Sequence, residues 1–278
     1  MGAFLPRDIC NFDESPISLF GDQTSRTLNY VNVDNEVENP ICSKRFATVI
    51  LTIFPKGNDR VGPTLLFRGK GRISSQETNQ YSKNVKVFFT QKAAMNTETM
   101  HKFVDYWYGQ INDGNPKLMI TDSYGCHLNS QVTQSLRRKS VVVAVVPKGC
   151  TQYLQLLDTL VFSTFKSNYF NATEEFLEKN GNRTALKLTA SQSRVLCTRL
   201  TWEAWKRTLK SIDLKKGFLE IGYTWCNNSI VTPRTLPGYK YDPSCVPEIQ
   251  LDDDENDNDT TTRIEEDATA DRCEASTI

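Results

Sequence analysis

Three aspartates in this chain each adjoin a run of apolar residues, and this pattern constrains the fold more than any other feature of the sequence. Asp13 follows the apolar run that begins at Ile9, and Asp122 follows the run that begins at Leu118. Asp158 comes shortly after the strongly apolar stretch 141–146. Two acids at strand ends, and a third on the helix after the next strand, can converge on one point. Converging carboxylates bind hard divalent cations through oxygen.

The intervals between the three acids fit an alternating arrangement of strands and helices. Between Asp13 and Asp122 there is room for two more strands and a crossover helix. The 35 residues between Asp122 and Asp158 can hold a helix, a strand and the start of another helix. A single Asp at a strand end is more often a turn former or a helix cap than a ligand. The prediction of a metal site therefore rests on the order and spacing of all three acids.

Each acid lies within a longer motif. The motifs are Asn11-Phe12-Asp13-Glu14-Ser15-Pro16, then Thr121-Asp122-Ser123 through His127, and then Val145-Val146-Pro147-Lys148-Gly149-Cys150-Thr151-Gln152-Tyr153-Leu154-Gln155-Leu156-Leu157-Asp158. With these motifs, roughly residues 9 to 230 resemble the catalytic domain of pogo/Tigger-type transposases, which are DDE superfamily endonucleases. The last motif is specific, because over a dozen positions match in order. One position departs: Leu156 stands where the family usually has Pro, a residue that favours a first helical turn.

The resemblance implies an α/β fold, with an RNase H-like mixed five-stranded sheet flanked by helices and a C-terminal helical region. It implies that Asp13, Asp122 and Asp158 are the catalytic residues and hold two Mg²⁺ ions, with Mn²⁺ as a substitute. Asp13 would bridge both ions, Asp122 would hold mainly one, and Asp158 the other. The implied activity is phosphodiester hydrolysis and DNA strand transfer, so DNA is the implied partner.

Hydrophobic periodicity places the other elements. Strands are predicted at 46–54, 64–67, 117–121 and 141–146, and Val85 to Thr90 is a candidate further strand. After a cap at Asn96 or Thr97, apolar residues recur at helical spacing, which predicts a helix with one face on the sheet. Further helices are predicted at 129–139, 154–170, 202–210 and 215–221.

The formal net charge of zero hides a strong division along the chain. Residues 248–278 hold 12 acidic and two basic residues, whereas the rest of the chain holds 31 basic and 21 acidic residues. A basic body suits a polyanion such as DNA. We expect residues 1–230 to form the catalytic domain, and residues 231–278 to form a proline-containing irregular segment followed by a disordered acidic tail. The tail either keeps the protein soluble or folds back on the basic groove and competes with DNA.

Several polar residues outside the three acids are candidates for a role. Lys166 lies two helical turns after Asp158 and could neutralise a phosphate, although a surface lysine without function has the same pattern. Lys206 and Arg207 are tentative DNA contacts. His127 either positions a water or phosphate, or caps the turn after the strand. Glu14 is expected to point to the opposite side of the strand from Asp13, and Asp8 is expected in a loop.

Other features exclude several classes of protein. The eight cysteines contain no Cys-x-x-Cys pair, so a structural zinc site is not expected, and reduced thiols are the simplest interpretation. No apolar run approaches the length of a membrane span, and no signal peptide is visible, so we expect no membrane partner.

Two interpretations of function stay open. Only twelve residues precede Asp13, so the helix-turn-helix modules of related transposases are not visible before it. The chain is then either a metal-dependent DNA endonuclease, or a domesticated, non-catalytic DNA- or chromatin-binding derivative. The intact acids favour the enzyme, whereas the missing module and Leu156 favour the derivative. The family implies a nuclear location, and a homodimer is left open.

Overall fold

A computed structural model describes residues 4–20, 46–181 and 186–224. Within those ranges the strands and helices alternate along most of the chain. In chain order they are a 3₁₀ turn (Pro6–Asp8), β1 (Ile9–Ile17), β2 (Ala47–Ile53), β3 (Thr64–Arg68), α1 (Ser75–Thr78), β4 (Lys86–Thr90), α2 (Thr97–Ile111), β5 (Lys117–Thr121), α3 (Ser130–Arg138), β6 (Val141–Val145), α4 (Thr151–Leu154), a π-helical turn (Leu157–Val161), α5 (Phe162–Asn180), α6 (Ala190–Ser211) and α7 (Leu214–Glu220). The expected acidic tail and the segment that precedes it, residues 231–278, lie outside the described residues.

The strands form one mixed sheet in the order β4-β3-β2-β1-β5-β6. β1 and β3 run antiparallel to β2, whereas β5 and β6 continue the sheet parallel to β1. This is the mixed α/β architecture that was predicted, but the sheet has six strands and not five. The sixth is β4, which pairs in parallel with β3 at the edge. Parallel neighbours need a crossover connection, and the segment that contains α1 provides it.

Strand alternation divides the core between the two faces of the sheet. Ile9, Leu51 and Ile120 point to one face, which packs against α5, α6 and α7. Cys10, Phe12 and Met119 point to the other face, which packs against α2 and α3. On α2, the apolar residues predicted from helical spacing are buried against this second face: Met100, Phe103, Val104 and Trp107. The sheet therefore lies between two helical layers.

Five of the helices described begin at a capping side chain, namely α1, α2, α3, α6 and α7. The Asn96 side chain accepts from the backbone N–H of Thr99 at 2.8 Å, as predicted for the start of α2. Thr189 and Gln192 form a reciprocal capping box at the start of α6, which makes this helix longer than the predicted 202–210. None of the helices in the described part of the chain is long and apolar enough to cross a membrane.

Asp8 was expected in a loop, but it ends the 3₁₀ turn before β1 and is buried. Its carboxylate Oδ1 lies 2.6 Å from Nζ of Lys117 at the start of β5, and both side chains are almost fully buried. Asp113 also bonds the same ammonium group. The ammonium must be paired because burying an isolated charge is costly. This cluster joins the turn before β1 to the start of β5, at the end of the sheet opposite the three acids.

Candidate active site

Asp13 lies on the part of β1 that extends past the end of its parallel neighbour. β1 pairs with β5 only through residues 9–11, with Asn11 opposite Ile120 as the last pair. Beyond that pair, the space beside β1 is a cleft of about 280 Å³, lined by Asp13, Glu14, Pro16, Thr48, Ala94, Met95, Asp122, Tyr124 and His127. The Asp13 side chain is held in place because its Oδ1 accepts the backbone N–H of Glu14 at 2.7 Å.

Asp122 follows β5 directly and faces the same cleft from the other side. Its Oδ1 lies 2.7 Å from Nδ1 of His127 and accepts the backbone N–H of Tyr124 at 3.2 Å. The chain therefore turns back on itself between residues 122 and 127, and the turn fixes the carboxylate.

Asp158 is carried by the π-helical turn at the start of the long helix, as the sequence predicted in outline. The backbone N–H of Asp158 donates to the carbonyl of Gln155 at 3.0 Å. Gln155 and Asn11 are both fully buried, and the Asn11 side chain donates to Oε1 of Gln155 at 3.1 Å. Asn11 also accepts the backbone N–H of Leu157 at 3.0 Å. The turn that presents Asp158 is thus bound to the strand that presents Asp13.

Leu156, the departure from the family motif, fits this turn without strain. Its φ of −60° is the value that proline also adopts, and its side chain is buried. Two residues earlier, the carbonyl of Leu154 accepts a hydrogen bond from the hydroxyl of Tyr223. This bond connects the segment before the Asp158 turn to the residues that follow α7.

The three carboxylates share one electrostatic environment. Burial raises the pKa of Asp13 to about 7, and the negative charges of Asp158 and Asp122 push it in the same direction. Burial and the charge of Asp122 also raise the pKa of Asp158. Asp13 and Asp122 thus line one cleft, and the charge of Asp158 acts on Asp13 although Asp158 is not among the residues that line that cleft.

Asp122 differs from the other two acids. Burial would raise its pKa, but the hydrogen bond and the positive charge of His127 outweigh burial, and the net result is a lowered pKa. Burial would lower the pKa of His127, yet its bonds to Asp122, Cys126 and Glu14 raise it to about 12. His127 is therefore a positively charged group that is hydrogen-bonded to one of the three acids, Asp122.

Of the three candidate DNA-binding residues, only Lys166 is close to the acids. Burial lowers its pKa, whereas the charge of Asp158 raises it. Lys206 and Arg207 lie on α6, where they pair with acidic side chains. Lys206 Nζ is 2.7 Å from Glu203, and Arg207 forms a two-pronged pair with Glu175 at 2.6 and 2.9 Å. No contact among the described residues links these two to the acid cluster.

Sequence reasoning missed the residues that hold the acids in place. Asn11 and Gln155 appeared in the quoted motifs but were assigned no role, and the contact between them spans 144 positions. Glu14 was expected to point to the opposite side of the strand from Asp13. However, the Glu14 carboxylate bonds His127 at 2.7 Å and lines the same cleft. One feature of the sequence could have indicated the role of Asn11 and Gln155. Both are amides inside otherwise apolar runs, and a buried amide needs a hydrogen-bond partner.

A family of known proteins and a mouse protein match this chain in sequence. The family described as DDE superfamily endonuclease matches residues 44–218. A Mus musculus protein described as "Pogo transposable element with KRAB domain" is 23% identical over 188 residues, which are 62% of this chain and 29% of the mouse protein. The chain thus spans less than a third of that relative.

Two crystal structures of Mos1 transposase assemblies are distantly similar. The pre-cleavage Mos1 transpososome has 12% identity and a TM-score of 0.40, with 74% of this chain and 56% of that chain covered. The Mos1 strand transfer complex has 13% identity and a TM-score of 0.41, with 74% and 55% covered. No argument rests on a likeness this distant. The family match spans more than half of the chain and includes two of the three acids, so the protein belongs to the DDE superfamily endonucleases.

Proposed function

We propose that this chain is the catalytic domain of a metal-dependent DNA endonuclease of the transposase type. The observation that carries the proposal is that Asp13 and Asp122 line one cleft, while the turn that bears Asp158 is hydrogen-bonded to the strand that bears Asp13. The charges of Asp122 and Asp158 both raise the pKa of Asp13. Family membership supplies the reaction class, and the acids supply the chemistry that such a reaction needs.

The donor set fits a divalent metal. All three ligands are carboxylates, which hard cations such as Mg²⁺ and Mn²⁺ prefer. Two of the three have raised pKa values because burial and like charges disfavour ionisation, and a bound cation would reverse that penalty. Asp13 lies between the other two acids in this scheme, with Asp122 and Asp158 as the ligands on either side. A metal pair would activate the attacking oxygen and stabilise the leaving oxygen of a phosphodiester.

The protein's own residues prepare this site for the reaction. Asp13 must lose its proton before it can act as a ligand, and its pKa of about 7 places that loss near neutral pH. The Asn11–Gln155 contact keeps Asp158 at a fixed position relative to Asp13. Lys166 adds a positive charge beside Asp158 that suits a DNA phosphate. The nucleophile is water, or a DNA 3′-OH in strand transfer, so the protein needs no nucleophilic side chain.

DNA affinity is expected to come mainly from the basic body of the chain. Phosphate contacts from Lys and Arg dominate non-specific binding and weaken as salt is added. Lys166 is the best placed of the proposed contacts. The charges of Lys206 and Arg207 are partly neutralised by Glu203 and Glu175, so these two are weaker candidates. Nuclear location and a homodimer remain predictions of the same proposal.

A domesticated, non-catalytic DNA-binding protein is the second candidate. Such a protein would need the basic surface but would have no use for three converging acids. The buried contacts that hold Asp13 and Asp158 in register therefore favour the enzyme.

Nicking of supercoiled plasmid tests the proposal. With Mg²⁺ or Mn²⁺, the native chain should nick the plasmid, and Asp158→Ala should abolish nicking while most DNA affinity in a gel-shift assay is retained. Equal nicking by the native chain and Asp158→Ala would refute the site. DNA binding without any metal-dependent nicking would favour the non-catalytic candidate.

A further inference from the structure

His127 makes two short contacts to carboxylates from opposite sides of its ring. Nδ1 lies 2.7 Å from Oδ1 of Asp122, and Nε2 lies 2.7 Å from Oε1 of Glu14. The side chain is almost fully buried, and its ring packs edge-on against Phe12 with the centroids 5.0 Å apart. The imidazole therefore has a single position, which is fixed by β1 on one side and by the turn after β5 on the other.

These contacts leave His127 no role as a metal ligand. A carboxylate oxygen only accepts hydrogen bonds, so both ring nitrogens must donate, and the ring is then an imidazolium without a free lone pair. One atom each of Glu14, Cys126 and His127 lie within 4.8 Å of one another, which resembles a ligand set. However, the hydrogen bonds to Glu14 and Asp122 already use both nitrogens. The ring is better described as a charged connection between two carboxylates.

The connection determines which oxygen of Asp122 is free. Both hydrogen bonds from described residues to this carboxylate, from His127 and from the Tyr124 backbone, go to Oδ1. Among contacts between described residues, Oδ2 has no partner. A carboxylate with one oxygen held by two donors presents its other oxygen in a defined direction.

We infer that His127 is a positioning residue, which holds Asp122 against Glu14 so that Oδ2 of Asp122 faces the metal-binding position. Glu14 is the anchor of this arrangement and is not itself a ligand. The inference rests on the proposed function, because the oriented oxygen is useful only if Asp122 binds a cation. Residues that orient metal ligands in this way typically change metal affinity 10- to 100-fold when removed.

The first test measures Mn²⁺ affinity by titration calorimetry on the folded native chain and on variants. His127→Asn should weaken Mn²⁺ binding by about 10- to 100-fold. Glu14→Gln, which keeps an acceptor but loses the charge, should weaken it several-fold although Glu14 touches no metal. The chain's other histidine supplies a matched control, and His101→Asn should bind as the native chain does. Native affinity in both His127→Asn and Glu14→Gln would overturn the inference, even if both variants unfold more easily.

The second test needs no metal. In EDTA, urea unfolding midpoints are compared for His127→Asn, Glu14→Gln and the double variant. If the imidazole ring bonds Glu14, the urea midpoint of the double variant should lie near that of the less stable single variant. The reason is that the contact between Glu14 and His127 can be lost only once. Additive shifts of the midpoint would overturn the inference.

The two tests separate failure of the inference from failure of the proposed function. If the native chain binds no Mn²⁺ but the midpoints are non-additive, the proposed function is wrong while the contact between Glu14 and His127 is supported. If the native chain binds Mn²⁺ and the His127 and Glu14 variants bind it equally well, only the positioning role is wrong.

Discussion

The side chains of Asn11 and Gln155 are hydrogen-bonded at 3.1 Å inside the core, although 144 positions separate them in the chain. Asn11 lies two residues before Asp13, and Gln155 lies three residues before Asp158. Gln155 also donates to the carbonyl of Phe12 at 3.2 Å. This pair of amides sets the first and third acids at a fixed separation, because it bonds the backbone of each segment to the other.

Replacement of Asn11 by Ala should destabilise the fold and disturb the acid cluster. The change leaves Oε1 of Gln155 and the N–H of Leu157 without the partner that Asn11 provides, at a cost of about 1–3 kcal/mol in the free energy of unfolding. Urea unfolding measures this cost. A matched Asn168→Ala variant loses a single side-chain hydrogen bond on a partly buried surface, to Thr208, and should cost less. Equal costs for the two variants would contradict the role assigned to Asn11.

Replacement of Lys117 by Met should be among the most destabilising single changes in the domain. It removes the cation but leaves the Asp8 carboxylate buried, and breaking a buried pair in this way costs about 3–5 kcal/mol. A second change, Asp8→Asn, removes the orphaned charge. The double variant should therefore unfold at a higher urea concentration than Lys117→Met alone. A double variant less stable than Lys117→Met would show that the Asp8 charge is not the source of the penalty.

Acid should weaken the contact between α1 and α6. Arg194 holds Glu77 through two hydrogen bonds of 2.6 and 2.8 Å and lowers the pKa of that carboxyl to about 2, against 4.5 for the free group. A lowered pKa contributes stability that is fully present above pH 4.5 and is lost as the pH falls towards 2. The free energy of unfolding should thus fall across this window in the native chain and fall less in Glu77→Gln. Parallel pH profiles for the two proteins would be inconsistent with this.

The sequence predicted those parts of the structure that depend on local pattern. Asp122 follows a strand and Asp158 lies in the turn that starts a helix, because apolar runs and their ends are visible one segment at a time. Asp13 was expected at a strand end but lies inside β1, which continues to Ile17. The buried face of α2 was predicted correctly for the same reason. The local pattern does not predict which polar residues contact each other when they are far apart in the sequence.

Three features of the structure depend on contacts between residues that are far apart in the sequence. Lys117 opens a strand and would ordinarily be a surface residue, but the turn at Asp8 buries it. His127 had two open interpretations because its partner Glu14 lies 113 positions away. The edge strand β4 was only a candidate, since its place beside β3 depends on a crossover that the sequence does not specify.

Calorimetric titration of Mn²⁺ into the purified chain, beside Asp13→Asn, tests the three-carboxylate site most directly. Asp13 is the acid whose pKa the other two raise, so it should contribute to every bound ion. The native chain should bind Mn²⁺ at neutral pH, more tightly as the pH rises through about 7, and Asp13→Asn should lose that binding while it still unfolds cooperatively. Equal Mn²⁺ binding by the two proteins, or none by the native chain, would contradict a catalytic metal site formed by Asp13, Asp122 and Asp158.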